Sequence, residues 1–245
     1  MLTIIQVGHD DASDRYIRNK VRAIEKAGLE SEVINLPEDC TEANICDLIA
    51  KSDSTAIMVQ LPLPNHIDKY SVLDSIPPTK DIDGLARHSN YLPLTPSAIL
   101  GWFREGGVGL EGKHVVVFGR SELVGMPLSA KLIALGATVS VLNSKTSQVM
   151  AEAICSSADI IVSAVGKVNA VAYCHVKNAS SLSTIIDVGI NRDDSGKLCG
   201  DVSKEAREFV EARGGYCSPV PGGVGKWTVR ELVNRLRQME IDAGV

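Results

Sequence analysis

Short apolar runs alternate with amphipathic stretches along the chain, and the two periods assign most of its elements. Leu2–Val7 reads as a strand, followed by a polar turn at Gly8–Ala12. Ser13 is read as the N-cap of a helix running to about Lys26 and closed by Gly28. Glu32–Leu36 predicts a second strand, Pro37–Asp39 a turn, and Thr41 the cap of a helix reaching Ala50. Thr55–Gln60 reads as a third strand that must end near Leu61, because Pro62 and Pro64 cannot donate to a central ladder. Asp68–Ser75 is a short helix, and Pro77-Pro78 a rigid step. Thr79–Asn90 has no apolar period and carries Lys80, Asp81, Asp83, Arg87 and His88 around Gly84, which predicts a charged loop.

Thr95-Pro96 resembles a cap followed by proline at the first helical position, so a helix from Ser97 to about Glu105 is expected to bridge into a second domain. Beyond it lies the most regular stretch of the chain. The apolar run His114–Phe118 ends at Gly119, a helical segment follows from about Glu122 to Leu135, and a second run, Ala137–Leu142, begins after Gly136. Strand, glycine-bounded turn, helix and strand form one βαβ unit of a parallel sheet. Gln148–Ser156 is helical, Asp159–Ala164 a strand ending at Gly166, Thr184–Val188 a strand ending at Gly189, and Glu205–Arg213 a helix. Ser218–Gly225 is too rich in proline and glycine for regular structure, and Thr228 opens a final amphipathic helix to about Met239. The architecture is α/β throughout, with the C-terminal ends of the strands opening onto polar loops, where such sheets bind ligands.

Composition narrows the function classes. The 245 residues suffice for two modest domains, and a formal charge of −5 argues against a general polyanion binder. No run is long and apolar enough to cross a bilayer, and the first residues carry no signal core, which predicts a cytoplasmic protein. Cys40, Cys46, Cys155, Cys174, Cys199 and Cys217 form no CxxC pair and have no histidine at ligand spacing, so no metal site is indicated.

The βαβ unit points to a nucleotide. Gly119 and Gly125 stand where the chain leaves a strand and enters a helix, so a ligand's phosphates can approach the free N–H groups there. Position 121 is Ser, however, and an ordinary tight turn would also call for these glycines. The second strand runs out into Asn143, Ser144, Lys145 and Thr146 with no acid. Beside Arg120, that end suits the extra phosphate of NADP better than the bare ribose of NAD, provided the two loops lie side by side. In the first domain, Tyr16 and Lys20 project from the same helix face. Gln60 at a strand end could hold a water or the lysine itself, and Asp83 could bind a ring bearing amino and imino donors. Each has a plain reading as core or surface; together they suggest a lysine used in acid–base chemistry.

These segments resemble the bifunctional methylenetetrahydrofolate dehydrogenase/methenyltetrahydrofolate cyclohydrolase family of one-carbon metabolism. The matching pieces are YIRNK at 16–20, VQLPLP at 59–64, PPTKDIDG at 77–84, LTP at 94–96, GRSELVG at 119–125, NSKT at 143–146, DVGIN at 187–191, GDV at 200–202 and PVPGGVG at 219–225. They follow the family's order over almost the whole chain. The resemblance implies a three-layer α/β catalytic, folate-binding domain over residues 1–98 and a Rossmann-like NADP-binding domain over 99–226. Residues 227–245 would form a helix returning to the first domain, and two copies would pair through the Rossmann-like domains. It also implies roles: Lys20 as the central acid–base group, Tyr16 packing on the folate, Gln60 tuning Lys20, and Asp83 holding the pterin. Pro221, Gly222 and Gly223 would shape the folate and nicotinamide cleft. NADP would be held by Gly119, Arg120, Ser121, Val124, Gly125, Ser144, Lys145, Thr146, Gly166, Gly189, Ile190 and Thr228, with Arg120 and Ser144 on the 2′-phosphate.

The chain departs from the pattern in four places. The family has a segment, including a covering helix, ahead of the strand that here begins at Leu2, and the expectation is that the natural product starts upstream. The alternative is that the returning helix and a dimer partner cover that face. The folate-side loop between Asn90 and Leu94 is short, with Leu94 where the family has Cys; Asn143 replaces a His, and Lys226-Trp227 a Pro-Met pair. Two further readings stay open: a monofunctional or NAD-using dehydrogenase of the same family, and a non-catalytic folate- or nucleotide-binding paralogue.

Overall fold

The computed structural model describes residues 1–244, without the side chains of residues 11 and 12. It divides into two compact units, Met1–Leu94 with Val229–Val245, and Thr95–Thr228. The first unit contains β1 (Leu2–Val7), α1 (Asp11–Lys26), β2 (Ser31–Leu36), α2 (Glu42–Lys51), β3 (Ala56–Val59) and α3 (Lys69–Asp74). The chain then enters α4 (Leu94–Glu105). The second unit continues with β4 (His114–Phe118), α5 (Gly125–Ala134), β5 (Thr138–Leu142), α6 (Gln148–Cys155), β6 (Ile160–Ser163), α7 (Tyr173–Val176) and β7 (Thr184–Asp187). It ends with β8 (Asn191–Arg192), β9 (Leu198–Cys199), α8 (Lys204–Glu211), β10 (Tyr216–Cys217) and the start of α9 (Val224–Asp242).

The first sheet is parallel in the order β2-β1-β3. Side chains alternate across a strand, so β1 and β3 serve two cores at once. Leu2, Ile4, Ala56 and Met58 pack with Ile17 and Ile24 of α1 and with Leu232, Leu236 and Met239 of α9. Ile5, Val7, Ile57 and Val59 pack on the other face with Ile45 and Ile49 of α2 and Val72 and Leu73 of α3. The last helix thus returns to the first unit and helps to cover its sheet.

The second sheet is parallel in the order β10-β7-β6-β4-β5, with β4 at the point where the strand order reverses. Val115, Val117, Ile160, Val162 and Ile186 face a core with Ile99 and Phe103 of α4 and Leu128 and Leu132 of α5. Val116, Ile161 and Ile185 face the opposite core with Cys155 of α6 and Ala206 and Val210 of α8. This is the Rossmann-like arrangement the resemblance implies, and it contains the parallel βαβ unit read from the sequence.

The starts of α1, α4 and α9 differ from the sequence reading. Asp10, not Ser13, caps α1: its carboxylate accepts the Ser13 N–H at 2.8 Å, as an N-cap does from three residues ahead. Helix α4 begins at Leu94, one residue before Thr95, with Pro96 inside its first turn, where a missing N–H costs nothing. Helix α9 begins at Val224, so Val224 and Gly225 of the predicted irregular segment are helical. Thr228 therefore does not open that helix; its hydroxyl donates to the Val224 carbonyl at 3.0 Å within it. No helix among the described residues is long and apolar enough to cross a membrane.

Candidate active site

In the first unit, α1, the C-terminal end of β3 and the loop carrying Asp83 bring the predicted quartet together. Lys20 lies on the buried face of α1 and is 3% exposed. Its Nζ sits 4.5 Å from the centre of the Tyr16 ring, one turn earlier, so the phenol is the wall of the amine's site. The ammonium donates to Gln60 Oε1 at 3.2 Å and to the Met58 thioether at 3.0 Å. Gln60 is oriented for this task, because its own Nε2 donates to the Leu61 carbonyl at 2.7 Å and leaves the amide oxygen facing Lys20. Of the two readings open for Gln60, the one holding the lysine itself is the one seen. Met58 went unnoticed because a methionine in an apolar strand looks like core alone.

Asp83 is held by its loop. The buried Asp81 carboxylate accepts the backbone N–H groups of Gly84 at 3.1 Å and Ala86 at 2.9 Å, which folds the turn that presents Asp83. Both immediate hydrogen-bond partners of Lys20 are neutral. Burial lowers the Lys20 pKa, and the negative charge of Asp83 only partly restores it. Asp83 answers in the opposite sense: burial raises its pKa, Lys20 pulls it down, and Asp81 pushes it up. Burial, reinforced by Asp83, pushes the Tyr16 phenol up to about 12, so Tyr16 is a neutral packing and donor group. An amine made easier to deprotonate, against a neutral phenol and a carboxylate, is chemistry for moving protons.

In the second unit, a groove of about 680 Å³ opens at the C-terminal ends of β4, β5 and β6. Its walls include Gly119, Arg120 and Ser121 after β4, and Asn143, Ser144 and Thr146 after β5, so the two loops do lie side by side. The glycines are demanded by close backbone approach. Gly119 has φ +106°, and a Cβ there would meet the Ala164 carbonyl oxygen at 2.5 Å. A Cβ on Gly125 would meet the Gly119 oxygen at 2.2 Å. The Ser121 hydroxyl accepts from the backbone N–H of Val124 at 3.3 Å and Gly125 at 3.4 Å, closing the entry to α5. After β5, the Asn143 side chain accepts the Lys145 N–H at 2.9 Å, and Thr146 Oγ1 accepts the Asn143 N–H at 3.1 Å. That turn carries no acid.

A buried carboxylate shapes the wall formed after β6. Asp201, fully buried, accepts Ser163 Oγ at 2.9 Å and the backbone N–H groups of Val165 at 2.8 Å, Gly166 at 3.2 Å and Lys167 at 2.9 Å. It also accepts Asn191 Nδ2 at 2.9 Å. Asp187 accepts the N–H groups of Gly189, Asp201 and Val202 at 3.1, 2.8 and 3.1 Å. A Cβ on Gly189 or Gly200 would meet these carboxylates at 2.0 Å, which is why both positions are glycine. Neither aspartate stood out in the sequence beyond its motif. Lys167, Gln148 and His175 also line the groove without having been predicted. Val124, Gly125, Lys145, Gly166, Gly189, Ile190 and Thr228 are not among its lining residues; Ile190 is 69% exposed. Pro221 and Gly222 lie in the turn before α9, Gly222 with φ +111°, and a Cβ on Gly223 would meet the Pro219 oxygen at 2.5 Å.

Comparison with known proteins matches both parts of the chain. Residues 1–83 match the model of the tetrahydrofolate dehydrogenase/cyclohydrolase catalytic domain, and residues 93–242 match that of its NAD(P)-binding domain. The bifunctional protein FolD of Streptococcus pneumoniae is 42% identical over 250 residues, covering 97% of this chain and 85% of that one. The crystal structure of FolD from Campylobacter jejuni superposes with a TM-score of 0.91 at 37% identity, covering 99% of this chain and 88% of that chain. The Trypanosoma brucei enzyme, crystallised with NADP cofactor and inhibitor, gives 0.86 at 33% identity, with 99% and 86% covered. The chain belongs to the tetrahydrofolate dehydrogenase/cyclohydrolase family.

Proposed function

We propose that the protein oxidises 5,10-methylenetetrahydrofolate with NADP and hydrolyses the methenyl product to 10-formyltetrahydrofolate. The observation that carries this reading is the buried Lys20 amine, held by Gln60 and Met58 against Tyr16 with Asp83 nearby. A water adding to the cationic methenyl carbon must lose a proton, and the departing ring nitrogen must gain one. A lysine with a lowered pKa can accept the first and supply the second. Tyr16 offers a flat face to the folate ring, and an anionic Asp83 would accept from the pterin's amino and ring N–H groups.

The second unit's groove fits NADP. Its volume, the exposed Arg120 beside Ser144, and a β5 end without an acid suit a 2′-phosphorylated ribose, which a carboxylate would repel. When bound, NADP supplies the acceptor for the hydride leaving the folate one-carbon bridge. The chain's part is to hold that cofactor: Gly119, Ser121, Val124 and Gly125 at the α5 entry, Lys145 and Thr146 beside Ser144, and the Asp201-clamped loop at Gly166. Gly189, Ile190 and Thr228 belong to this reading by resemblance, as do Pro221, Gly222 and Gly223 for the two rings. The domain roles follow the same reading, folate and catalysis in the first unit and cofactor in the second.

A homodimer paired through the second unit and a cytoplasmic location complete the proposal. Met126 and Ile133 on α5, 53% and 59% exposed, supply apolar surface for pairing, and six free thiols suit a reducing compartment. Folate-dependent reduction of NADP by the purified protein, followed by loss of the methenyl chromophore, tests the function. Both signals are expected; absence of both with intact NADP binding would overturn the enzyme reading in favour of a binding protein.

A further inference from the structure

Helix α9 carries one buried charge toward the Asp83 loop. Arg235 is only 8% exposed, and burial lowers its pKa, so its position is costly for a guanidinium. Its contacts lie on both arms of one loop. Nη1 donates to the Ile82 carbonyl at 2.9 Å, the residue immediately before Asp83. The guanidinium lies 5.2 Å from the centre of the Tyr91 ring, and Nη2 pairs with Glu231 at 3.5 Å, one helical turn earlier. The two arms also meet directly: Leu94 N–H donates to the Asp83 carbonyl at 3.1 Å. Gly84, with φ +70°, packs so closely that a Cβ there would meet the Leu92 backbone at 2.7 Å.

Filling space between α9 and the loop would need only an apolar side chain, which avoids the desolvation of a guanidinium. A planar fork that reaches a carbonyl and a ring face at once does something an apolar side chain cannot. We infer that Arg235 is a positioning residue, which locks the Ile82 and Tyr91 arms together and so presents Asp83 to the ring donors of the folate. The inference rests on the folate reading of Asp83. The titratable groups around that carboxylate come from three directions: Lys20 and the neutral Tyr16 on α1, Asp81 in its own loop, and Arg235 on α9 with Glu231 behind it. Arg235 and Lys20 hold Asp83 down against burial and Asp81, so removing Arg235 moves Asp83 protonation to higher pH.

The test uses the full-length purified chain as wild type, Arg235→Met, Arg235→Lys and Asp83→Asn. Arg235→Met should raise the KM for methylenetetrahydrofolate about tenfold or more, while leaving NADP affinity within about twofold. The acid limb of kcat/KM should move to higher pH, and Arg235→Lys should return that limb most of the way because it keeps the charge. If Arg235→Met does not fold, Arg235→Lys carries the test through its folate KM, expected above wild type at unchanged NADP affinity. An unchanged folate KM and acid limb would overturn the inference, as would an equal fall in folate and NADP affinity. Asp83→Asn separates the two levels. A raised folate KM in that variant with none in Arg235→Met removes Arg235 alone, whereas no change in Asp83→Asn removes the reading of Asp83 beneath it.

Discussion

The two units place their polar chemistry in opposite ways. In the first, the candidate groups are side chains, gathered around a buried amine. In the second, the groove is cut largely from backbone, with glycines where carbonyl oxygens come within 2.2 to 2.5 Å of a would-be Cβ. Buried carboxylates act there as clamps rather than as reagents. The difference has a consequence for mutation. A side-chain site can lose its chemistry and keep its fold, whereas a backbone site loses shape and stability together.

The largest effect is expected from Asp201→Asn. The amide is isosteric but would turn N–H groups toward backbone donors that now meet a carboxylate. Leaving such donors unmatched should destabilise the protein by roughly 2–4 kcal/mol and weaken NADP binding with it. Denaturant unfolding and cofactor titration on one preparation check both; a normal midpoint with weak NADP binding would break the comparison. Gly125→Ala should follow, at roughly 1–3 kcal/mol, because its new methyl meets the Gly119 oxygen and the entry to α5 must shift. Arg120→Ala should be the mildest for the fold, since its side chain is exposed. It should cost only the phosphate contact, on the order of 1.5–3 kcal/mol, eroding the preference for NADP over NAD by roughly ten- to a hundredfold. Equal kcat/KM for the two cofactors in the unmutated protein would contradict that assignment.

The same contrast explains what the sequence made legible. That Tyr16, Lys20 and Gln60 lie together was legible because helix spacing and a strand end place side chains predictably, whereas Asp83 reaches them from a loop. The βαβ unit was legible because β4 carries the apolar run Val115–Phe118, β5 is rich in Val and Leu, and glycines stand at both turns. Thr41 was read correctly as a cap, since Asn44 completes its reciprocal pair. What escaped depends on tertiary contact. Asp201 looks like any loop acid until the β6 loop folds over it, and Arg235 like a surface charge until α9 docks on the Asp83 loop. The cap of α1 was misplaced because Asp10 and Ser13 are both good capping residues, and only geometry shows which accepts. The start of α9 escaped because the local signal of two prolines and three glycines in Ser218–Gly225 was outweighed at its end by a helix that goes on to Asp242.

Lys20→Met, read in three ways on one preparation, tests the proton chemistry of the first unit most directly. Methionine keeps the bulk of the stem but has no proton to exchange. Because burial depresses the folded-state pKa of Lys20, its charge costs stability below that pKa. The cost is relieved as pH rises from the folded toward the unfolded value. The expected result is therefore no methenyl hydrolysis above the uncatalysed background, unchanged NADP binding, and a thermal midpoint at neutral pH no lower than wild type. That stability advantage should shrink at alkaline pH. Hydrolysis at the wild-type rate in the folded variant would contradict the central claim that the buried amine of the first unit carries the proton chemistry.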